Sequence, residues 1–241
     1  MLSLTKTVRR SVAIGAALLA LSPMANADNV TAEEVVPGLW EYTGLISSSG
    51  VDMPLTGIFL FADGTFLQHA IFNGEPFAEQ GSMAHSGPYV GSEVGIELTA
   101  EQTLSLNPSA DKPLTSMGVT THDLTVERNG DDMTLVFSAG EGTVQTLSLL
   151  GPADAVSVYT LENGKLAFTG DHFLLVSGDE SGMVSGYGTY SKVGDDYSLM
   201  LTRWSQSNGQ TAENLRDTAM EVQFDGSKLT LPNGLNLAVI Q

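Results

Sequence analysis

An internal repeat constrains the fold of this chain more than any other feature of its sequence. Three motifs recur in the same order: Gly57–Phe61 as Gly164–Phe168, Ser86–Tyr89 as Tyr187–Tyr190, and Asn129–Leu135 as Asp225–Leu231. The offset between copies falls from 107 to 101 to 96 residues, as expected when strands are kept and loops shorten. The repeat predicts two related units, 38–150 and 156–241, that join near Gly151-Pro152.

Hydrophobic patterning has a period of two residues and predicts strands. Apolar and polar residues alternate from Ile96 to Leu106, which is typical of a long half-buried strand. Asn-Gly and Asp-Gly pairs recur between such segments and supply the positive φ of hairpin turns. Only Ala212–Asp217 reaches helix length, apart from one turn expected at Thr31–Glu34. The predicted fold class is all-β, with two antiparallel barrel units, because closing each copy into a barrel removes exposed strand edges. Pairing of the two copies into one larger barrel is the alternative.

The first 27 residues have the pattern of a signal peptide. Basic residues Lys6, Arg9 and Arg10 precede a short apolar run, and Ala25-Asn26-Ala27 provides a small-x-small cleavage site. The apolar run is too short to span a membrane. We therefore expect Sec export, cleavage after Ala27, a flexible lead-in over 28–37 and a periplasmic or secreted protein.

The acidic composition excludes several classes of partner. Residues 1–27 hold three of the ten basic residues and none of the 28 acidic ones, so the mature chain has a net charge of −21. Such a surface repels nucleic acids and anionic membranes, and neither nucleic acid binding nor membrane insertion is expected. The absence of cysteine excludes disulfides and a lipid-anchored cysteine.

The ordered motifs of the first unit resemble those of bacterial lipocalin-like (calycin-type) barrel domains. They are Gly38-x-Trp40, Gly57-x-Phe59-x-Phe61-x-Asp63-Gly64, Ser86-Gly87-Pro88-Tyr89 and Gly130-Asp131-Asp132-Met133-Thr134-Leu135. The resemblance covers 38–150 well and 156–241 more weakly, where Val158-Tyr159-Thr160 replaces the Trp40 motif. It implies a barrel with one plugged end and one open mouth, often holding an apolar small molecule. Some relatives are enzymes, so the resemblance leaves catalysis open.

Motifs for covalent or metal chemistry are absent from the sequence. There is no cysteine and no G-x-S-x-G nucleophile elbow. The four histidines show no H-x-H or H-E-x-x-H spacing, so neither a metal site nor a cofactor is predicted. No catalytic residue is assigned.

Polar residues on apolar strand faces are the candidate ligand-binding residues. Strand alternation from Ile96 and from Tyr197 carries Gln102 and Arg203 onto the apolar face, which predicts that both point into their barrels. A buried polar group needs a partner, and in a barrel that partner can be a ligand. The complete candidate set is Arg203, Gln102, His69, His122, Tyr89 and Tyr190.

The leading hypothesis is an exported lipocalin-like protein that binds a small apolar or amphipathic molecule. One alternative is a cofactor-free isomerase or cyclase with His69 or His122 as general base and Arg203 as electrostatic clamp. A second alternative is a structural or interaction module of the cell envelope that binds no ligand.

Overall fold

The computed structural model describes residues 31–240, and the predicted signal peptide 1–27 lies outside this range. Helix α1 spans Ala32–Val35, a 3₁₀ helix spans Phe77–Glu79 and α2 spans Phe137–Gly140. In residues 31–240, no helix is long or apolar enough to cross a bilayer. The single helical turn expected over Thr31–Glu34 is present as α1, which begins after the N-cap Thr31.

Ten strands form the first antiparallel sheet. They are β1 Gly38–Ile46, β2 Leu55–Ala62, β3 Thr65–Phe72, β4 Ser82–Gly91, β5 Ile96–Ala100, β6 Gln102–Leu106, β7 Leu114–Ser116, β8 Thr120–Asn129, β9 Asp132–Val136 and β10 Val144–Gly151. Because β4 pairs with both β3 and β5, the ring β1-β2-β3-β4-β5-β8-β9-β10 closes. β6 and β7 extend the sheet from β4, outside this ring.

Nine strands form the second antiparallel sheet. They are β11 Val156–Leu161, β12 Gly164–Thr169, β13 His172–Asp179, β14 Gly182–Val193, β15 Asp196–Ser207, β16 Ala212–Leu215, β17 Thr218–Phe224, β18 Lys228–Thr230 and β19 Asn236–Ala238. A bridge between Leu161, at the end of β11, and Val239, directly after β19, brings the two ends of this sheet together. The predicted all-β, two-barrel fold is therefore confirmed, and the helix considered over Ala212–Asp217 is wrong because this segment pairs with β15 as β16.

The described residues bury apolar side chains in three places. Two clusters fill the interiors of the barrels, around Trp40 and Phe59 in the first and around Phe168 and Trp204 in the second. The third cluster is the seam between the barrels, where the outer faces of β2, β3, β4 and β6 pack against those of β12, β13 and β14. Its members include Ile58, Leu60, Leu67, Leu104, Leu174, Val176 and Met183.

Each barrel is filled at the end where β1 or β11 begins. In the first barrel the Trp40 indole donates to the Val36 carbonyl at 2.8 Å, beneath α1. Arg128 covers the Trp40 ring at 4.8 Å from its centroid and donates to the Val35 carbonyl at 2.7 Å. In the second barrel an aromatic cluster occupies the corresponding end, formed by Tyr159, Phe168, Tyr190, Tyr197 and Phe224.

Candidate functional site

A cavity of about 730 Å³ opens at the end of the second barrel opposite the aromatic cluster. It lies where the hairpins β11–β12, β13–β14 and β18–β19 turn and where β15 leads into β16. Leu161, Val184 and Leu237 contribute apolar surface to it, and all three belong to the interior of the barrel. The cavity therefore continues the apolar interior outward to solvent.

Amide and hydroxyl groups surround the mouth of this cavity. Asn163, Asn208, Asn236 and Gln206 are among the lining residues. Gln206 accepts a hydrogen bond from the Trp204 indole at 3.0 Å and donates to Glu213 at 2.8 Å. This chain of bonds ties the rim to a tryptophan buried in the barrel.

The electrostatic character of the cavity is negative. Glu162, Asp179 and Glu213 line it, and none of the described lining residues is lysine, arginine or histidine. Asp179 accepts hydrogen bonds from the Ser181 hydroxyl at 2.6 Å, the Ser181 backbone N–H at 2.8 Å and Asn163 at 3.2 Å. The bonds from Ser181 lower the pKa of Asp179, so this carboxylate is charged at neutral pH. A neutral or cationic group fits this mouth better than an anion.

Two of the predicted ligand residues lie in packed aromatic clusters away from this cavity. Tyr89 is buried in the first barrel with its ring edge-on to Phe61 at 5.3 Å. Tyr190 packs on Phe168 at 4.7 Å, at the filled end of the second barrel. Burial raises the pKa of both phenols.

The predicted orientation of Gln102 and Arg203 is wrong. Tyr190 pairs with Leu199 and Tyr187 with Arg203, so β14 advances three residues while β15 advances four. The extra residue is a β-bulge, which reverses the alternation of side chains beyond it. Trp204 consequently enters the barrel interior, and Arg203 points outward, toward Phe77 of the other barrel.

An equivalent bulge in the first barrel reverses the orientation of Gln102. Tyr89 pairs with Leu98 and Ser86 with Gln102, again three residues against four. Gln102 accepts a hydrogen bond from the Ser86 hydroxyl at 2.7 Å, on the face that carries Leu104 of the seam. Alternation alone could not reveal this reversal, because a bulge leaves no break in an apolar pattern.

The seam brings together two of the predicted residues, His69 and Arg203. His69 is fully buried, its ring stands edge-on to Tyr187 at 5.8 Å, and neither ring nitrogen has a hydrogen-bond partner among the described residues. Burial, and next the positive charge of Arg203, lower the pKa of His69 to about 3. The histidine is therefore neutral at physiological pH.

His122 lies in the first barrel instead, beside His85, which is not among the predicted ligand residues. Its Nε2 is 3.1 Å from the Thr120 hydroxyl, which is 2.8 Å from the Thr103 hydroxyl. Burial, and next the charge of His122, lower the pKa of His85 to about 4. The alternation that places Tyr89 inside the barrel also places His85 there, and this was the signal available in the sequence. His122 and Arg203, paired in the enzyme hypothesis, belong to different barrels and do not converge.

A hydrogen-bonded group of three polar side chains lies in the first barrel between β1, β3 and β10. Gln68 donates from its amide to the Tyr42 hydroxyl, which donates to Gln145 at 3.0 Å. Burial raises the pKa of Tyr42 above its usual range. The three side chains are hydrogen-bonded to one another, so we assign this group a structural role.

Within residues 31–240, no cluster of three or more histidine and carboxylate side chains is placed to hold a metal ion.

Comparisons of the chain with protein families, curated proteins and solved structures found no match.

Proposed function

We propose that this chain is an exported, lipocalin-like protein that binds a small amphipathic molecule in the cavity of its second barrel. The observation that carries the proposal is the cavity itself: about 730 Å³, with apolar surface inside and hydrogen-bonding groups at the mouth. Pockets for small molecules typically measure about 300–1,000 Å³ and combine apolar walls with a few polar groups. The signal-peptide pattern of residues 1–27 supports export.

The lining of the cavity indicates the chemistry of the ligand. An apolar portion would contact Leu161, Val184 and Leu237, while amides such as Asn163 and Gln206 would bind its polar end. The carboxylates at the mouth disfavour an anionic head group, because like charges repel at short range. The ligand is therefore neutral or cationic at its polar end.

The lipocalin-like assignment is supported by how the first barrel is closed. Gly38-x-Trp40 opens β1, and Trp40 lies beneath α1 and against Arg128. This arrangement gives one plugged end, as the resemblance implies. The second barrel, with aromatic side chains at one end and the cavity at the other, supports the expectation of an open mouth.

A fluorescence titration with the neutral apolar dye N-phenyl-1-naphthylamine tests the proposal. We expect saturable binding that is abolished in Val184→Trp, which fills the cavity, and kept in Val193→Trp. Val193 is on the same strand but 81% exposed at the far end, so it controls for adding an indole. The anionic dye 1-anilinonaphthalene-8-sulfonate should bind more weakly than the neutral dye. Equal binding by both tryptophan variants would place the dye elsewhere and contradict the proposal.

A further inference from the structure

Unpartnered polar atoms concentrate in one part of the molecule. In residues 31–240, the buried side-chain nitrogen and oxygen atoms without a hydrogen-bond partner are both ring nitrogens of His69, Ser82 Oγ, Gln80 Oε1 and Arg203 Nε. Native proteins rarely leave such atoms unpaired, and each one costs stability. Their presence in one region points to a missing partner shared by several of them.

The strand register places these residues close together on the seam. His69 pairs with Ala84, and Ile71 pairs with Ser82, so His69 and Ser82 are diagonal neighbours on the outer face of the first barrel. Tyr187, edge-on to His69, pairs with Arg203 in the second barrel. Gln80 lies two residues before Ser82 and is tied to the second barrel by the Asn214 amide, which donates to its carbonyl at 2.8 Å.

Two arginines at this place have no acidic partner. Arg203 lies 5.8 Å and Arg216 lies 4.3 Å from the centroid of the Phe77 ring. Neither forms an ion pair in the described chain, whereas the buried Lys165 pairs with Glu101 at 3.1 Å. In a chain with 28 acidic and only ten basic residues, two neighbouring arginines without carboxylates are unexpected.

We propose that the seam binds an oxyanion, the carboxylate or phosphate group of a small molecule, between Arg203 and Arg216. Arg203 Nε–H and Ser82 Oγ–H donate to the anion, and neutral His69 contributes one ring N–H. Guanidinium groups suit oxyanions because their planar donors match the spacing of the oxygens and charge assistance strengthens the bonds. Gln80 Oε1 is an acceptor and suits a hydroxyl on the same ligand.

This site is separate from the cavity of the second barrel and does not depend on it. The cavity is lined by carboxylates and no basic residue, while the seam presents two arginines and the side chains of both barrels. Occupation of the seam would join the barrels through a shared ligand, since Ser82 and His69 come from the first and Arg203 and Arg216 from the second.

Arginine side-chain NMR provides a direct test. Besides Arg9 and Arg10 of the predicted signal peptide, the chain has only Arg128, Arg203 and Arg216, so their Nε–H signals can be assigned by substitution. The protein is titrated separately with inorganic phosphate and with acetate, at constant ionic strength made up with chloride. We expect the Arg203 signal to move downfield saturably, while Arg128, which already donates to the Gly130 carbonyl at 2.9 Å, stays in place.

Matched variants separate a site from general charge effects. Arg216→Ala removes an exposed side chain. It should lower the affinity for the anion that binds by roughly tenfold or more, because a charge-assisted bond is lost. Lys228→Ala removes an equal charge from an exposed position away from the seam and should change nothing. Arg203→Lys keeps the positive charge but lacks the planar set of guanidinium donors, so it should also lose most of the affinity.

Each outcome has a definite meaning. A response to phosphate alone or to acetate alone supports the proposal and identifies the phosphate or the carboxylate group. No movement of the Arg203 signal with either anion overturns it and leaves internal water as the partner of these atoms. Equal weakening in Arg216→Ala and Lys228→Ala also overturns it, because the binding would then be non-specific.

Discussion

Gly87 and Gly188, 101 residues apart, each face a backbone carbonyl across an equivalent β-bulge. A Cβ at Gly87 would lie 1.9 Å from the Thr99 oxygen, and one at Gly188 would lie 2.0 Å from the Met200 oxygen. The repeat thus preserves an irregularity of the sheet as well as its strands. Because the bulges reverse side-chain alternation, these two glycines permit Gln102 and Arg203 to face outward.

Alanine at either glycine should destabilise the protein. The backbone must move to relieve the contact, and such overpacking costs about 1–3 kcal/mol or more. Denaturant unfolding of Gly87→Ala and Gly188→Ala measures the loss. Gly74→Ala is the matched control, since nothing lies within 4 Å of a Cβ there, and its midpoint should change little. Unaltered stability in Gly188→Ala would show that the strands can separate at the bulge without cost.

Arg128 should stabilise the closed end of the first barrel. Arg128→Ala removes donors to the Val35 and Gly130 carbonyls and the cover over Trp40. We expect a loss of about 1.5–3 kcal/mol in the free energy of unfolding, the range for hydrogen bonds to charged groups. Lys192→Ala, at an exposed position of the second barrel that also covers an aromatic ring, should cost under about 1 kcal/mol. If the two variants unfold at the same denaturant concentration, Arg128 has no special role in the closure.

His69 should make the protein less stable in mild acid. Its pKa is about 3 in the folded protein against a usual 6.5. The stability is complete above pH 6.5 and is lost as the pH falls toward 3, because only the unfolded state takes up the proton. At 1.36 kcal/mol per pKa unit, the loss attributable to His69 reaches at most about 5 kcal/mol.

Substitution by valine isolates this contribution. Val176 holds the equivalent position in the second barrel, 107 residues on, and pairs with Lys165 as His69 pairs with Ile58. His69→Val should keep or raise stability at pH 7.5 and flatten its decline between pH 6 and pH 4. His85 will still contribute to that decline, since its pKa is also lowered. His172→Gln, near the surface, is the control, and an equally steep decline in His69→Val would contradict the assignment.

The sequence is sufficient to predict the strands and the duplication, because both depend on local alternation and on motif order. Trp40, Phe59 and Phe168 lie in barrel interiors as their periodicity requires. The orientations of Arg203 and Gln102 could not be predicted in this way, because a bulge depends on hydrogen bonding between strands and not on local alternation. His69 lies on an apolar face, as predicted, but that face is the outside of a barrel, buried only because a second barrel packs on it.

The cavity could not be predicted either. Asn163, Asn208 and Asn236 read as ordinary turn residues in the sequence, and only closure of the second barrel brings their hairpins around one opening. The volume of the cavity depends on how the strands and hairpins are arranged in space, which the composition of the sequence does not determine.

Filling the cavity with the Val184→Trp side chain should also be detectable in the stability of the protein. Without ligand, Val184→Trp should change the free energy of unfolding by under about 1.5 kcal/mol, because the added ring enters the cavity and does not overpack the core. Thermal denaturation with and without N-phenyl-1-naphthylamine measures this, and the dye should raise the melting temperature of the unaltered protein and of Val193→Trp but not that of Val184→Trp. A large loss of stability in ligand-free Val184→Trp would show that the cavity is smaller in solution than in the structure.

Native mass spectrometry of the protein isolated from its own host tests the central claim most directly. We expect a species heavier than the polypeptide by the mass of a small molecule, present in the unaltered protein and in Val193→Trp and absent from Val184→Trp. The Arg203→Ala variant should keep this species, because Arg203 is not among the residues that line the cavity. A protein that carries no small molecule and binds no neutral amphipathic probe, or one that carries the same mass in Val184→Trp, would contradict the account.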